Sequence, residues 1–239
     1  MPEVDDTMRI LTISAANMVH AKKESISLEA CLIIEKIIKT KLAGNDMQME
    51  NIRLVDAALS PCTGCGKCFK MNKCWHDDCF NNIYTRIAQS DALFIVSPHY
   101  APIPARLCML LEKMEQISFL NRFHDINYYP LVHKIPVGII AHGGGSTEAA
   151  LRFYKEMVLD TIANALRTIM MEVVGLNEEW PTGVAFPVKE VLRDEDGVFP
   201  VQLYDRADIE NRLTPLVLRV VENAFTNTKN SRVLAASLN

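Results

Sequence analysis

The chain has no excess of basic charge, no long apolar run and no even set of cysteines, and each absence removes a class of function. Its 239 residues carry 25 lysines and arginines against 29 aspartates and glutamates, a formal net charge of -4, whereas a nucleic-acid surface calls for a basic face. No stretch approaches the roughly eighteen consecutive apolar residues that a membrane-spanning helix needs. Seven cysteines cannot all pair with one another. The opening Met1 to Asp6 is acidic rather than basic and apolar, so the sequence predicts no secretory signal and a cytoplasmic protein whose thiols stay reduced. Internal repeats and low-complexity linkers are missing. So is any constellation of nucleophile, base and acid that would argue for hydrolysis, and catalytic residues stay unassigned. With 49% hydrophobic residues the chain can build a large core. The reading is a single domain over residues 1–225, then a polar tail, 226–239, expected to be disordered.

Cysteine, by contrast, is concentrated. Cys62, Cys65, Cys68 and Cys74 fall within thirteen residues, with Cys79 just beyond the four, all inside a loop spanning 60–79. A triplet of cysteines three apart with a fourth slightly further on is how bacterial ferredoxin-type loops reach the corners of a 4Fe-4S cluster. Structural zinc more often takes two separated pairs, and no second pair is present. Cluster, zinc and bare thiols in a packed loop all stay open on spacing alone. His76 is a further candidate zinc ligand, while Cys31 and Cys108 sit on apolar helix faces and read as core.

Along its length the chain alternates short apolar or β-branched runs with segments of helical period. The strands are Arg9 to Ser14, Gln48 to Val55, Ala92 to Val96, Pro136 to Ala141 and Glu172 to Gly175. Helices are predicted over about Ser25 to Leu42, ended by Gly44, then from Asp77 and Asp78 to Gln89, Pro104 to Leu120, Thr147 to Met171 and Ala207 to Phe225. Ala92 to Val96 and Pro136 to Ala141 are apolar on both faces and belong mid-sheet. The sum is an α/β fold: a flavodoxin-like, doubly wound, five-stranded parallel sheet of order 2-1-3-4-5 with a C-terminal extension. In such a sheet ligands sit outside the carboxyl ends of the strands, where the order reverses.

That rule nominates three loops. The first, Ala15 to Ser27, carries Asn17, Ser25 and Ser27 beside Ser14, ahead of a helix whose amino end favours a phosphate; Ser25 also reads as an N-cap. The second, Ser97 to Pro104, packs three prolines into eight residues, a stiff edge for a planar heteroaromatic ring. The third, His142 to Glu148, holds Gly143, Gly144 and Gly145, where backbone can approach a ligand closely. No Gly-Lys-Ser/Thr follows, and the first turn lacks glycine, so a Walker loop and a dinucleotide fingerprint are both excluded in favour of a mononucleotide.

The span PCTGCGKCFKMNKCWHDDCFNNIYTRIAQSDALFIVSPHYAPIPARLCMLLEKM, with the later Gly-Gly-Gly-Ser-Thr-Glu, resembles the iron–sulfur flavoprotein branch of the flavodoxin-like NAD(P)H-dependent FMN reductases, over roughly Met8 to Leu176. The resemblance implies FMN. Its phosphate would lie on Ser14, Asn17, Ser25 and Ser27, and its ring edge on Ser97, Pro98, His99, Tyr100, Ala101 and Ile103 together with His142, Gly143, Gly144, Gly145 and Ser146. It also implies NAD(P)H or a ferredoxin-like donor as the electron source, a small acceptor such as a quinone, and a 4Fe-4S cluster on Cys62, Cys65, Cys68 and Cys74. A pure electron carrier and a zinc-bearing binding module are the alternatives. Flavin sites of this family type are usually completed by a neighbouring subunit, and the extension 177–205 offers apolar surface, so a homodimer or a tetramer of dimers is expected. Its Val-Phe-Pro-Val and Val-Gln-Leu-Tyr runs read as a hairpin.

Overall fold

A computed structural model describes residues 7–17, 25–43, 46–193 and 200–237, with side chains to residue 227. Gly44 and most of the Arg193 to Asp196 turn lie outside the described residues.

Five strands run parallel in the order 2-1-3-4-5: β1 (Met8–Ser14), β2 (Met47–Arg53), β3 (Ala92–Pro98), β4 (Pro136–His142) and β5 (Glu172–Val174). Every residue of β3 and β4 is buried, as strands covered on both faces by crossover helices must be. Alternate strand residues feed two cores. Leu11, Ile13, Leu93, Ile95, Val137 and Ile139 pack under α2 (Asp78–Ala88), α3 (Ala105–His124), α4 (Glu148–Tyr154) and α5 (Asp160–Thr168). Ile10, Phe94, Val96 and Ile140 pack under α1 (Ile26–Lys41) and α6 (Arg206–Ser237). A π-helical turn, Lys155–Leu159, joins α4 to α5, so the helical period from Thr147 onward corresponds to one continuous rod. Among the described residues, no helix is long and apolar enough to cross a membrane.

Three expectations change. The fifth strand position is split: β5 covers the lower half of β4, and a sixth strand, β6 (Val184–Phe186), pairs parallel with its upper half, Ile140 opposite Val184. Gly183 makes that re-entry feasible, since its φ is +148° and an added Cβ would lie 2.1 Å from the Ile139 carbonyl oxygen. A hairpin is present, and in it Val201–Leu203 (β8) pairs antiparallel with Glu190–Leu192 (β7); Val198 and Phe199 of the Val-Phe-Pro-Val run lie outside the described residues. The tail expected to be disordered continues α6 to Ser237; beyond Pro215 it contains neither glycine nor proline to stop a helix. Cys108 is exposed instead of packed, whereas Cys31 is buried as expected.

Candidate functional site

Register brings the three nominated loops to one edge. Ser14 stands opposite Val96, Ser97 opposite Ala141 and Pro98 opposite His142, so β1, β3 and β4 end side by side where the strand order reverses. The Ala15 N–H donates to the Val96 carbonyl at 2.9 Å, and the His99 N–H to the His142 carbonyl at 2.8 Å.

Under the loops lies a buried polar layer of Ser14, Ser27, Ser97 and His142. Ser27 Oγ and His142 Nε2 share a hydrogen bond at 2.7 Å, and the Ser97 hydroxyl donates to the Pro98 carbonyl at 3.1 Å. Burial pushes the His142 imidazole down from 6.5 to about 3, so at neutral pH it is uncharged. Phe186 stacks on it with centroids 5.1 Å apart, and Nδ1 is one of the few buried polar atoms with no partner among the described residues. The Ser27 hydroxyl is thus engaged by His142 within the sheet edge. Ser25 is the N-cap of α1, its Oγ accepting from the Leu28 N–H at 3.3 Å. Asn17 is exposed, and residues 18–24 lie outside the described residues.

Around this layer, Tyr100, Ala101, Gly144 and Ser146 are exposed, while Pro98 and Ile103 are buried beneath. His99 packs on Phe153 and Tyr154 at 4.9 and 6.1 Å. The glycines have a reason the sequence did not disclose. An added Cβ would meet the Tyr154 ring at 2.6 Å from Gly143, and Ala150 Cβ at 2.4 Å from Gly145. Tyr154 also accepts the Gly145 N–H on its hydroxyl at 2.6 Å. The β7–β8 hairpin reaches the same loop: the Tyr204 hydroxyl, which donates to Gln202 Oε1 at 2.8 Å, lies 3.5 Å from the Gly143 carbonyl oxygen, and the Val188 N–H donates to the Gly145 carbonyl at 3.1 Å. Burial, and then the neighbouring Tyr154 and Tyr100, raise the Tyr204 hydroxyl above its ordinary value. Tyr154 and Tyr204 were not picked out from sequence, because neither lies in a motif and contact with the loop is tertiary.

The second site is the cysteine loop. Cys62, Cys65, Cys68 and Cys74 line one pocket, with Thr63, Trp75, His76 and Lys113 around them, and Cys79 is not part of it. Burial pushes the Cys68 thiol up, and Cys62, Cys65 and Cys74 push it further. The exposed Cys65 is held below its ordinary value by the Lys67 backbone N–H, aided by the Thr63 hydroxyl and the Lys67 charge. Gly64 and Gly66, at φ +65° and +69°, let the chain wind between the first three cysteines. Trp75 is 57% exposed with the Lys67 ammonium 5.5 Å from its ring centroid. Among the described residues no three His, Cys, Asp or Glu side chains are grouped as one metal ion requires. Tetrahedral zinc draws its thiolates close at about 2.3 Å from the metal, whereas a cuboidal cluster binds each thiolate at a different iron and keeps the sulfurs wider apart. Four thiols lining one pocket match the donor number of either a four-iron cluster or a structural zinc ion.

Comparison with known proteins places this geometry. The family described as NADPH-dependent FMN reductase matches residues 8–177. An iron–sulfur flavoprotein of Methanocaldococcus jannaschii is 30% identical over 138 residues, 57% of this chain and 64% of that protein, so the chain spans less than two thirds of that relative. Two solved structures share the fold. An oxidoreductase from Corynebacterium diphtheriae has a TM-score of 0.55 at 16% identity, covering 92% of this chain and 98% of that one. RosB with a bound 8-demethyl-8-formylriboflavin-5'-phosphate intermediate has a TM-score of 0.59 at 13% identity, covering 96% of this chain and 86% of that one.

Proposed function

The chain belongs to the NADPH-dependent FMN reductase family, and from that premise we propose that it moves electrons from NAD(P)H, or from a reduced carrier protein, to a small acceptor such as a quinone, with a 4Fe-4S cluster on Cys62, Cys65, Cys68 and Cys74 as a relay. The observation that carries the proposal is that β1, β3 and β4 end side by side over a buried polar layer in which His142 Nδ1 has no partner among the described residues. That orphaned atom and the first-turn N–H groups of α1 suit a phosphorylated heteroaromatic ligand.

In this reading Asn17, Ser25 and the amino end of α1 bind the FMN phosphate, Ser14 supports that loop from β1, and Ser27 holds His142. The backbone of Ser97 to Ile103 and of His142 to Ser146 meets the ring edge. His142, neutral and buried, serves as a hydrogen-bonding group and not as a charge. Bound FMN supplies the exchange between hydride transfer from a nicotinamide and single-electron transfer. Over a full turnover one NAD(P)H and one proton reduce a quinone to the hydroquinone. Exclusion of water from the ring face falls to Tyr100, Tyr154 and Tyr204.

The carrier-protein donor draws support from one observation. Residues 61–76 hold Lys67, Lys70 and Lys73, all exposed, with no aspartate or glutamate, in a chain of net charge -4. A second subunit is also proposed, as a homodimer or a tetramer of dimers, to cover Val191, Leu192 and Leu203 of the hairpin, which are 39–47% exposed.

An absorption spectrum of protein purified without oxygen, with FMN titration of a flavin-free sample by calorimetry, tests the proposal. Flavin bands with a broad iron–sulfur shoulder and one saturable FMN site are expected. No saturable FMN binding would overturn it, and a sample that takes up zinc but no iron would remove the relay alone.

A further inference from the structure

Lys113 lies in the apolar stripe of α3, near Leu110, Met114 and Ile117, with its side chain 3% exposed. Burying an ammonium costs several kcal/mol unless partners surround it, and its hydrogen-bonding partners stand at the base of the cysteine loop. It donates to the carbonyl and hydroxyl oxygens of Ser60, two residues before Cys62, and to the carboxylate of Asp77, three residues after Cys74. Asp77, also 3% exposed, accepts in turn from the Ser60 N–H and hydroxyl, both at 3.0 Å, and from the Phe80 N–H at 2.8 Å. The loop thus leaves and re-enters the fold through one charged knot. Lys113 lines the same pocket as the four thiols. Its helix braces the loop twice more, Glu112 accepting the Cys62 N–H at 3.1 Å and Asn121 the Lys70 N–H at 2.9 Å.

Resting on the cluster assignment above, we infer that Lys113 is a positioning residue for the cysteine set. Its ammonium latches both ends of the loop to α3 and offsets part of the negative charge that four thiolates and a cluster bring to the pocket. Asp77 completes the latch with the opposite charge. Neither residue binds iron.

The test compares the full chain with K113M and D77N after anaerobic reconstitution, with circular dichroism and FMN binding as the check on folding. Asparagine at 77 keeps an N-cap for α2. Iron release to a ferrous chelator is expected to quicken about tenfold in K113M and several-fold in D77N. The cluster's reduction potential is expected to shift down in K113M, which loses a cation, and up in D77N, which loses an anion, because net charge around the sulfurs sets that potential. Loosening alone cannot produce opposite signs. Parent-like release with unmoved potentials in both variants overturns the latch. If K113M does not fold, D77N decides: an upward shift supports the inference and an unmoved potential overturns it. A parent chain that takes up no iron overturns the cluster reading instead. The latch is then read from thiol accessibility, with the loop cysteines of K113M reacting about tenfold faster with a disulfide reagent if it holds and at the parent rate if it does not.

Discussion

Replacing Gly143 with alanine asks whether the glycine loop is shaped by Tyr154. The new Cβ would lie 2.6 Å from Cε1, Cζ and the hydroxyl oxygen of Tyr154, well inside van der Waals contact. Tyr154 is buried and hydrogen-bonded to the Gly145 N–H, so its ring cannot swing aside freely and the loop must lift. Overpacking of this kind costs about 1–3 kcal/mol. At about 2–4 °C per kcal/mol for a domain of roughly this size, Tm should fall by about 2–12 °C. Because the loop edges the proposed flavin ring, FMN affinity should weaken about tenfold, equivalent to about 1.4 kcal/mol. Gly144→Ala is the internal control. Its Cβ meets only the end of the Gln202 side chain at 3.0 Å, which can move, so little change is expected. Gly143→Ala combined with Tyr154→Leu should recover FMN affinity relative to Gly143→Ala alone, since the obstructing ring is gone. Thermal unfolding and calorimetric titration of the four proteins read the outcome. Equal losses in Gly143→Ala and Gly144→Ala, or no recovery in the double variant, would refute the packing argument.

Acid titration offers two further checks. His142 falls from 6.5 to about 3 on burial, so the unfolded chain takes up a proton that the folded chain refuses. Its stabilising contribution is complete above pH 6.5 and declines as pH drops toward 3, by up to about 1.4 kcal/mol per pH unit. Urea midpoints of His142→Gln should be flatter than the parent's between pH 6 and 4, and parallel curves would count against this burial. Asp77, against the cost of burial, is lowered from 3.8 to about 2 by Lys113 and by the Phe80 and Ser60 donors; its contribution is complete above pH 3.8 and lost as pH falls toward 2. Asp77→Asn should remove that steep limb. Truncating the pair on one side should destabilise strongly, by about 3–5 kcal/mol for Lys113→Ala as read by denaturant unfolding, and a change under 1 kcal/mol would show that the pair is not buried as described. For assembly, light scattering at micromolar concentration should report a dimer or tetramer, and Leu192→Glu in the hairpin should shift it toward monomer. A monomeric parent chain would end that proposal.

The sheet was legible because its signals are local. Ala92–Val96 and Pro136–Ala141 are continuous apolar runs that only a strand buried on both faces uses, and the helices between them repeat at three and four. The place where strand order reverses then follows from topology alone, which is why Ser14, Ser97 and His142 could be brought together before any contact was known. What stayed hidden depends on contacts distant in sequence. Ser27 and His142 meet across 115 residues and Lys113 and Asp77 across 36, and nothing in either local pattern announces the partner. A faint trace exists for Lys113, a cation inside the stripe Leu110, Leu111, Met114 and Ile117, where a long-range anion is the economical explanation. The split of the fifth strand was invisible because a three-residue strand is shorter than the period that reveals it.

Helix α3 joins the two sites. It starts at the proline loop, with Pro104 as its N-cap and Ile103 buried just before, and nine residues later it presents Lys113 to the cysteine pocket. At about 1.5 Å of rise per residue that is about 14 Å of helix between the proposed ring edge and the latch. Leu107, Leu110 and Met114 are buried along the way, so the segment is fixed against the core and cannot bend independently of either end. A substitution that shifts α3 should therefore disturb flavin and cluster together, whereas one confined to the loop 61–76 should disturb the cluster alone. Leu110→Ala, a buried deletion that costs about 2–5 kcal/mol, is expected to weaken FMN binding and speed iron release in the same protein. Cys65→Ser, on the exposed turn, is expected to abolish iron uptake and leave FMN affinity within about twofold. If Cys65→Ser lowered FMN affinity as much as Leu110→Ala does, the two sites would be coupled through the loop itself and not through the helix.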